Sequence, residues 1–130
     1  MADGAAQRKQ QKEALVRELL GRVGDKWTLL VIEALSDGGE LRFSRLQAAV
    51  GGISQKMLTK TLRQLERDGL VARRVHAVVP PRVDYRLTAL GESLGESVCG
   101  VWLWVEKHLG AVERSRKSYD ARRPDDDDAS

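Results

Sequence analysis

Between Ser54 and Asp68, four cationic residues recur at spacings of four, three and four: Lys56, Lys60, Arg63 and Arg67. That spacing lines them along one face of a helix, and Leu58, Thr61, Leu62 and Leu65 fall on the opposite face. A row of cations opposite an apolar stripe suits charge-assisted hydrogen bonding to a polyanionic backbone. Ser54, Gln55, Lys56 and Thr59 cluster at the amino-terminal end of the same segment. There Gln offers the paired donor and acceptor that match an adenine edge, and Ser or Thr hydroxyls serve several bases. Lys60, Arg63 and Arg67, further along, suit phosphates. The chemistry expected is recognition of double-stranded DNA. A solvated basic surface is the plainer alternative, but Glu66 is the only acidic residue near this face. Arg42 and Arg45 add charge just upstream, and Arg73, Arg74, Arg82 and Arg86 add more downstream.

The elements that must carry these residues are mostly helical. Leu15, Val16, Leu19, Leu20 and Val23 predict a first helix over about Glu13 to Arg22. Asp25 is placed to cap a second, with Trp27, Leu30, Val31, Ala34 and Leu35 at helical spacing until Asp37-Gly38-Gly39 stops it. Ser44 is the expected cap of a short third helix to Val50, with Leu46, Ala49 and Val50 facing inward. After Gly51-Gly52 comes the basic segment, capped by Ser54 and closed by Gly69. Leu70–Val79 and Val83–Leu87 are rich in β-branched residues and flank Pro80-Pro81, which predicts an antiparallel hairpin with Pro81 and Arg82 at its tip. Thr88 then caps a last helix to about Leu109. Four helices, a hairpin and a helix is the order of a winged helix-turn-helix, a mainly α (α+β) fold. Its second helix of the pair enters the major groove, while the hairpin reaches a flanking minor groove or backbone. The domain is expected over 13–110, with a flexible tail over 1–12 and a flexible acidic tail over 111–130 that includes Asp125 to Asp128.

At 130 residues and 42% hydrophobic, the chain suits one globular domain. The net charge is only +3, yet residues 42–86 hold ten Lys/Arg against three Asp/Glu. A local surplus of that kind attracts polyanions even where total charge is small. No apolar run approaches the roughly 20 residues of a membrane span, and no secretory signal opens the chain, so the cytoplasm is expected. Cys99 is the only cysteine, which excludes an internal disulfide and a cysteine-based metal site. Set beside Val98 and Val101, it reads as a small buried hydrophobe. His76 and His108 have no Cys, Asp or Glu at ligand spacing, and neither a phosphate loop nor a nucleophile elbow occurs. Glu92, Glu96 and Glu106 read as a solvated helix face. No catalysis, cofactor or metal is expected.

These segments resemble the HxlR family of bacterial regulators, relatives of the MarR group. The resemblance rests on Val23–Thr28, Leu41–Leu46, Gly52–Thr59, Leu62–Val71 and Val79–Tyr85, followed by Leu87-Thr88 and Leu90-Gly91. It implies a transcriptional regulator that binds a near-palindromic operator as a homodimer held by its terminal helices. Many family members carry a cysteine in the first helix, and some sense oxidants or electrophiles with it; alignment on Lys26-Trp27 puts Ala14 there.

Leu15, Leu19, Val98, Val101, Trp102 and Val105 are the expected dimerisation residues. Trp102 and Trp104 present aromatic surface to more than one side, more than one small domain covers. Trp27, Trp102 and Trp104 are the candidate lining of a pocket for a small-molecule effector, although aromatic residues at this spacing also build cores. The residues leave one rival reading open: a winged-helix protein–protein interaction module without specific DNA binding.

Overall fold

The architecture, described for residues 2–122 by a computed structural model, follows from where helices are capped and where their apolar faces turn inward. The element order is α1 (Ala2–Val23), α2 (Lys26–Gly38), β1 (Leu41–Arg42), α3 (Phe43–Val50), α4 (Gln55–Arg67), β2 (Val71–His76), β3 (Arg82–Leu87) and α5 (Ala89–Arg122). Asp25 caps α2 as expected, its carboxylate accepting from the Trp27 and Thr28 amides at 2.8 and 3.3 Å. Thr88 caps α5, its hydroxyl accepting from the Gly91 amide at 3.1 Å. The three strands form one antiparallel sheet in the order β1-β3-β2, with Leu41 opposite Tyr85 and Val71 opposite Leu87.

Several boundaries differ from expectation. The N-cap of α3 is Arg42, without a side-chain cap, so Ser44 lies inside the helix. Of the three residues expected to face inward there, Leu46 is buried, Val50 half-buried and Ala49 exposed. The strand β1 was not expected: it is two residues long and shows itself only through pairing with β3. The stretches expected as flexible tails are helical as far as they are described, since α1 starts at Ala2 rather than Glu13 and α5 runs on to Arg122. Ala, Gln, Lys, Arg and Glu dominate both extensions, and such residues prolong an existing helix without a new nucleus. The acidic run Asp125–Asp128 lies outside the described residues.

Two compact units divide the chain, Met1–Glu96 and Ser97–Ser130, with the boundary inside α5. The core of the first is built from Val31, Ile32 and Leu35 of α2, Leu46 of α3, and Leu58, Leu62 and Leu65 of α4. Leu70, Val71 and Leu87 join it from the hairpin's base. Each fully buried aliphatic side chain stabilises by about 1.5–3 kcal/mol relative to exposure, so these residues decide which way every helix faces. In the second unit, Val101, Trp102, Leu103, Trp104 and Val105 are all exposed, as is Cys99. The expectation that Cys99 is buried is therefore corrected: it sits on a stretch of α5 whose neighbours leave it open.

Gly91 shows how closely the elements of the first unit approach. A Cβ there would stand 2.0 Å from the Leu70 carbonyl oxygen. Gly91→Ala is expected to lower unfolding free energy by about 3 kcal/mol through overpacking against backbone. Gly21→Ala, where a Cβ meets nothing within 4 Å, should instead add up to about 1 kcal/mol of helix propensity. Urea unfolding of both variants measures the contrast, and a Gly91→Ala protein as stable as the wild type would contradict so close an approach.

Candidate nucleic-acid interface

The helix α4 is held by one face and presents the other. Leu58, Thr61, Leu62 and Leu65 are 0–3% exposed. Gln55, Lys56, Lys60, Arg63 and Arg67 are exposed on the other side, and Thr59 is half-buried between the two faces. Ser54 is the N-cap, with φ −73° and ψ 155°, and its hydroxyl accepts from the Met57 amide at 3.0 Å. The amino-terminal end that carries Ser54, Gln55 and Lys56 is thus both ordered and open to solvent.

The turn from α3 into α4 depends on Gly51 and Gly52, whose φ values of +73° and +75° are ones L side chains rarely adopt. Ile53, buried to 5% exposure, anchors the turn in the core. The Gln47 side-chain amide donates to the Ile53 carbonyl at 3.1 Å and ties α3 to the same point. A short helix, a glycine turn and an amphipathic helix in this arrangement form a helix-turn-helix.

The hairpin β2–β3 supplies the wing. Its register sets Arg74 opposite Asp84 and His76 opposite Arg82, so these four side chains share one face with Arg42 of β1. Asp84, 8% exposed, organises that face. Its carboxylate lies 2.8 Å from His76 Nε2 and 3.4 Å from Arg82 Nε. Arg74 pairs with Glu40 at 3.7 Å and Arg73 with Glu66 at 3.8 Å. Burial raises the Tyr85 phenol above its ordinary value, partly offset by the nearby Arg73 and Arg63 charges. The basic stripe of α4 differs: among the described residues, Lys56, Lys60, Arg63 and Arg67 form no ion pair.

Arg42, Pro81 and Arg82, far apart in sequence, line one open cleft of about 600 Å³ between the wing tip and the start of α3. Phe43, Ser44 and Val79 complete much of its wall. The three tryptophans are divided between the two compact units. Trp27 belongs to the first unit, half-buried, with Lys26 Nζ 4.8 Å above its ring. Trp104 stacks on His108 at 4.5 Å, and Trp102 donates its indole N–H to Glu106, both within α5.

Sequence spacing suggested no ligand partner for His76, but folding brings Glu40 and Asp84 to it. Their ligand atoms lie within 4.8 Å of one another. Arg74 and Arg82 already offset the charge of the two carboxylates. The group is better matched to its own arginines than to a metal, and it orders the charged face of the wing.

With this geometry in view, comparison with known proteins is decisive. Residues 22–113 match the family described as HxlR-like helix-turn-helix. The chain belongs to the HxlR-like helix-turn-helix family. The HTH-type transcriptional regulator YtfH of Escherichia coli (strain K12) is 44% identical over 96 residues, which is 74% of this chain and 75% of that protein. Among solved structures, the putative transcriptional regulator ytfH from Salmonella typhimurium is 42% identical with a TM-score of 0.72, covering 78% of this chain and 90% of its own. The redox regulator HypR in its reduced form is 36% identical with a TM-score of 0.70, over 76% and 97% of the two chains. HxlR-like proteins are DNA-binding transcriptional regulators, not enzymes. Among the described residues no helix is long and apolar enough to cross a membrane.

In an HxlR-like regulator the recognition helix must begin in a fixed place, and here one hydroxyl does much of that work. Ser54→Ala leaves the first amides of α4 without their cap and is expected to cost about 1 kcal/mol of stability. Thermal or urea unfolding reads this directly; an unchanged midpoint would mean that solvent replaces the cap without loss.

Proposed function

We propose that this chain is a homodimer that sets two α4 helices into successive major grooves of a near-palindromic operator and regulates transcription from it. The observation that carries the reading is the stripe Lys56, Lys60, Arg63 and Arg67. It is exposed, lies opposite a buried leucine face, and among the described residues lacks the carboxylate partners that Arg73, Arg74 and Arg82 have. Ser54, Gln55, Lys56 and Thr59 read base edges, whereas Lys60, Arg63 and Arg67 hold phosphates. Arg42, Pro81 and Arg82, at the mouth of the wing cleft, track the flanking backbone.

The dimer reading is supported by apolar surface that a lone chain leaves in water. Leu15 and Leu19 on α1 are 55% and 37% exposed, and Val101, Trp102 and Val105 on α5 are 45–59% exposed. Exposed apolar residues grouped on a helix mark an association surface. Val98 is already buried within the chain, so the self-contact is carried by the other five. Control by a small molecule fits the same arrangement: an effector that binds one spacing of the recognition helices better shifts operator affinity by the same coupling energy. HypR is a redox regulator by name. Here Ala14 stands where many relatives carry the first-helix cysteine, and Trp27, Trp102 and Trp104 are the residues to probe for a bound effector.

Fluorescence anisotropy on a random duplex pool, across a salt series, tests the DNA reading. Lys60→Ala and Arg63→Ala should each reduce the salt slope by about one unit and weaken binding to all sequences alike. Weak binding that ignores both substitutions would move the chain to the protein-interaction reading. Gln55→Ala and Thr59→Ala should change which duplexes a selection enriches. Trp102→Ala should weaken self-association by roughly 30-fold, the effect of losing an aromatic anchor worth about 2 kcal/mol. Sedimentation that still finds a tight dimer would assign this ring to the chain's own packing.

A further inference from the structure

At the end of α4 remote from Ser54, three residues lead into the wing: Asp68, Gly69 and Leu70. One side of this turn is held by the last turn of α1. Arg22 Nε donates to Asp68 Oδ2 at 2.8 Å, across 46 residues of sequence, and the two side chains are only 14% and 16% exposed. Glu18 stands 3.6 Å from the same guanidinium. The hydrogen bond to Asp68 raises the Arg22 pKa further above its already high ordinary value, so the cation is permanent.

The other side is held by the first turn of α5. The Thr88 amide donates to the Leu70 carbonyl at 3.0 Å, and the Thr88 hydroxyl donates to the Gly69 carbonyl at 2.6 Å. The same hydroxyl accepts from Gly91, whose missing side chain lets α5 lie against Leu70. Both helices that carry exposed apolar surface therefore begin or end on the turn that closes the recognition helix.

We propose that the Asp68–Gly69–Leu70 turn is the joint through which α1 and α5 aim the recognition helix, with Arg22 a positioning residue for operator binding. The inference rests on the dimeric regulator reading above. Its leverage is geometric. Thirteen residues of α4 span about 20 Å, so a tilt of about 10° at Asp68 carries Gln55 through about 3 Å, a full hydrogen-bond length. In a dimer the same tilt changes the separation of two recognition helices, and an effector that moves α1 reaches α4 through this contact. Arg22 itself touches no DNA, because its guanidinium is engaged at the far end of the helix. Replacing Thr88 would also remove the cap of α5; the Arg22–Asp68 pair is the part of the joint that a substitution can cut without touching a helix cap.

The test uses the full chain and the duplex that the wild type enriches from a random pool. Anisotropy is read on that operator, on versions with the spacer changed by one or two base pairs, and on a single half-site; sedimentation and thermal unfolding accompany each protein. Arg22→Gln and Asp68→Asn should lower affinity for the operator about tenfold and flatten its spacer preference, while single half-site affinity stays within twofold. The reversed pair, Arg22→Asp with Asp68→Arg, should regain most of the loss. Glu18→Gln, at the exposed edge of the cluster, should behave as the wild type. Equal losses on half-site and operator, or an unchanged operator affinity, would overturn the joint. A wild type that is monomeric or enriches no duplex overturns the regulator reading itself, and it is seen before any variant is made.

Discussion

Everything on the recognition surface depends on the burial of three leucines. Leu58, Leu62 and Leu65 are each no more than 2% exposed, and their contact with the core of α2 and α3 leaves α4 one way to lie. Because a helix rotates its side chains by fixed steps, burying this face determines that Lys56, Lys60, Arg63 and Arg67 point outward together. No interaction among the cations themselves achieves this; their mutual repulsion is tolerated because each faces water. The apolar core thus decides the geometry of a polar site that contributes nothing to it.

The cations of the wing and of α4 differ in physical role. Three of the wing's arginines sit near carboxylates: Arg73 with Glu66, Arg74 with Glu40, and Arg82 with Asp84. At 3.4–3.8 Å and with exposed guanidiniums, such pairs add about 0–1 kcal/mol each. Their effect is to hold long side chains in place above a two-stranded ribbon that has little core of its own. Among the described residues the α4 cations have no such partner, which leaves their charge open to an incoming polyanion. A wing that orients and a helix that attracts is a sensible division, because long-range steering needs uncompensated charge and fine docking needs fixed geometry.

What could be read from residues in order was set by the range of the interactions concerned. The face of α4, the caps at Asp25, Ser54 and Thr88, and the hairpin around Pro80-Pro81 depend on neighbours within a few positions, and periodicity reveals them. Leu41-Arg42 carries no strand pattern of its own; only its partner Tyr85-Asp84 makes it β1. His76 lacked any visible partner because Asp84 and Glu40 reach it across strands. The Arg22–Asp68 contact joins residues 46 apart with no local sign at all. The ends of α1 and α5 are hidden for the opposite reason. Their extensions have good helix propensity but little apolar periodicity, so residue spacing does not mark them.

The terminal helices pose the remaining physical question, which is why a chain would keep Trp102, Leu103 and Trp104 in water. A helix that is apolar around its circumference is normally enclosed. Among the described residues Trp102 and Trp104 meet Glu106 and His108 of their own helix, and both rings stay about half exposed. Local contacts of that kind fix rotamers but remove little surface from water, so the larger share of the stabilisation these residues offer is still unrealised. The proposed association of two chains would realise it. The recognition helices would then be tied to the same event, since α1 and α5 both close on the turn at Asp68. Under the proposed joint, coupling of this sort would need no separate device, because Arg22 and Thr88 both bond the turn that closes α4.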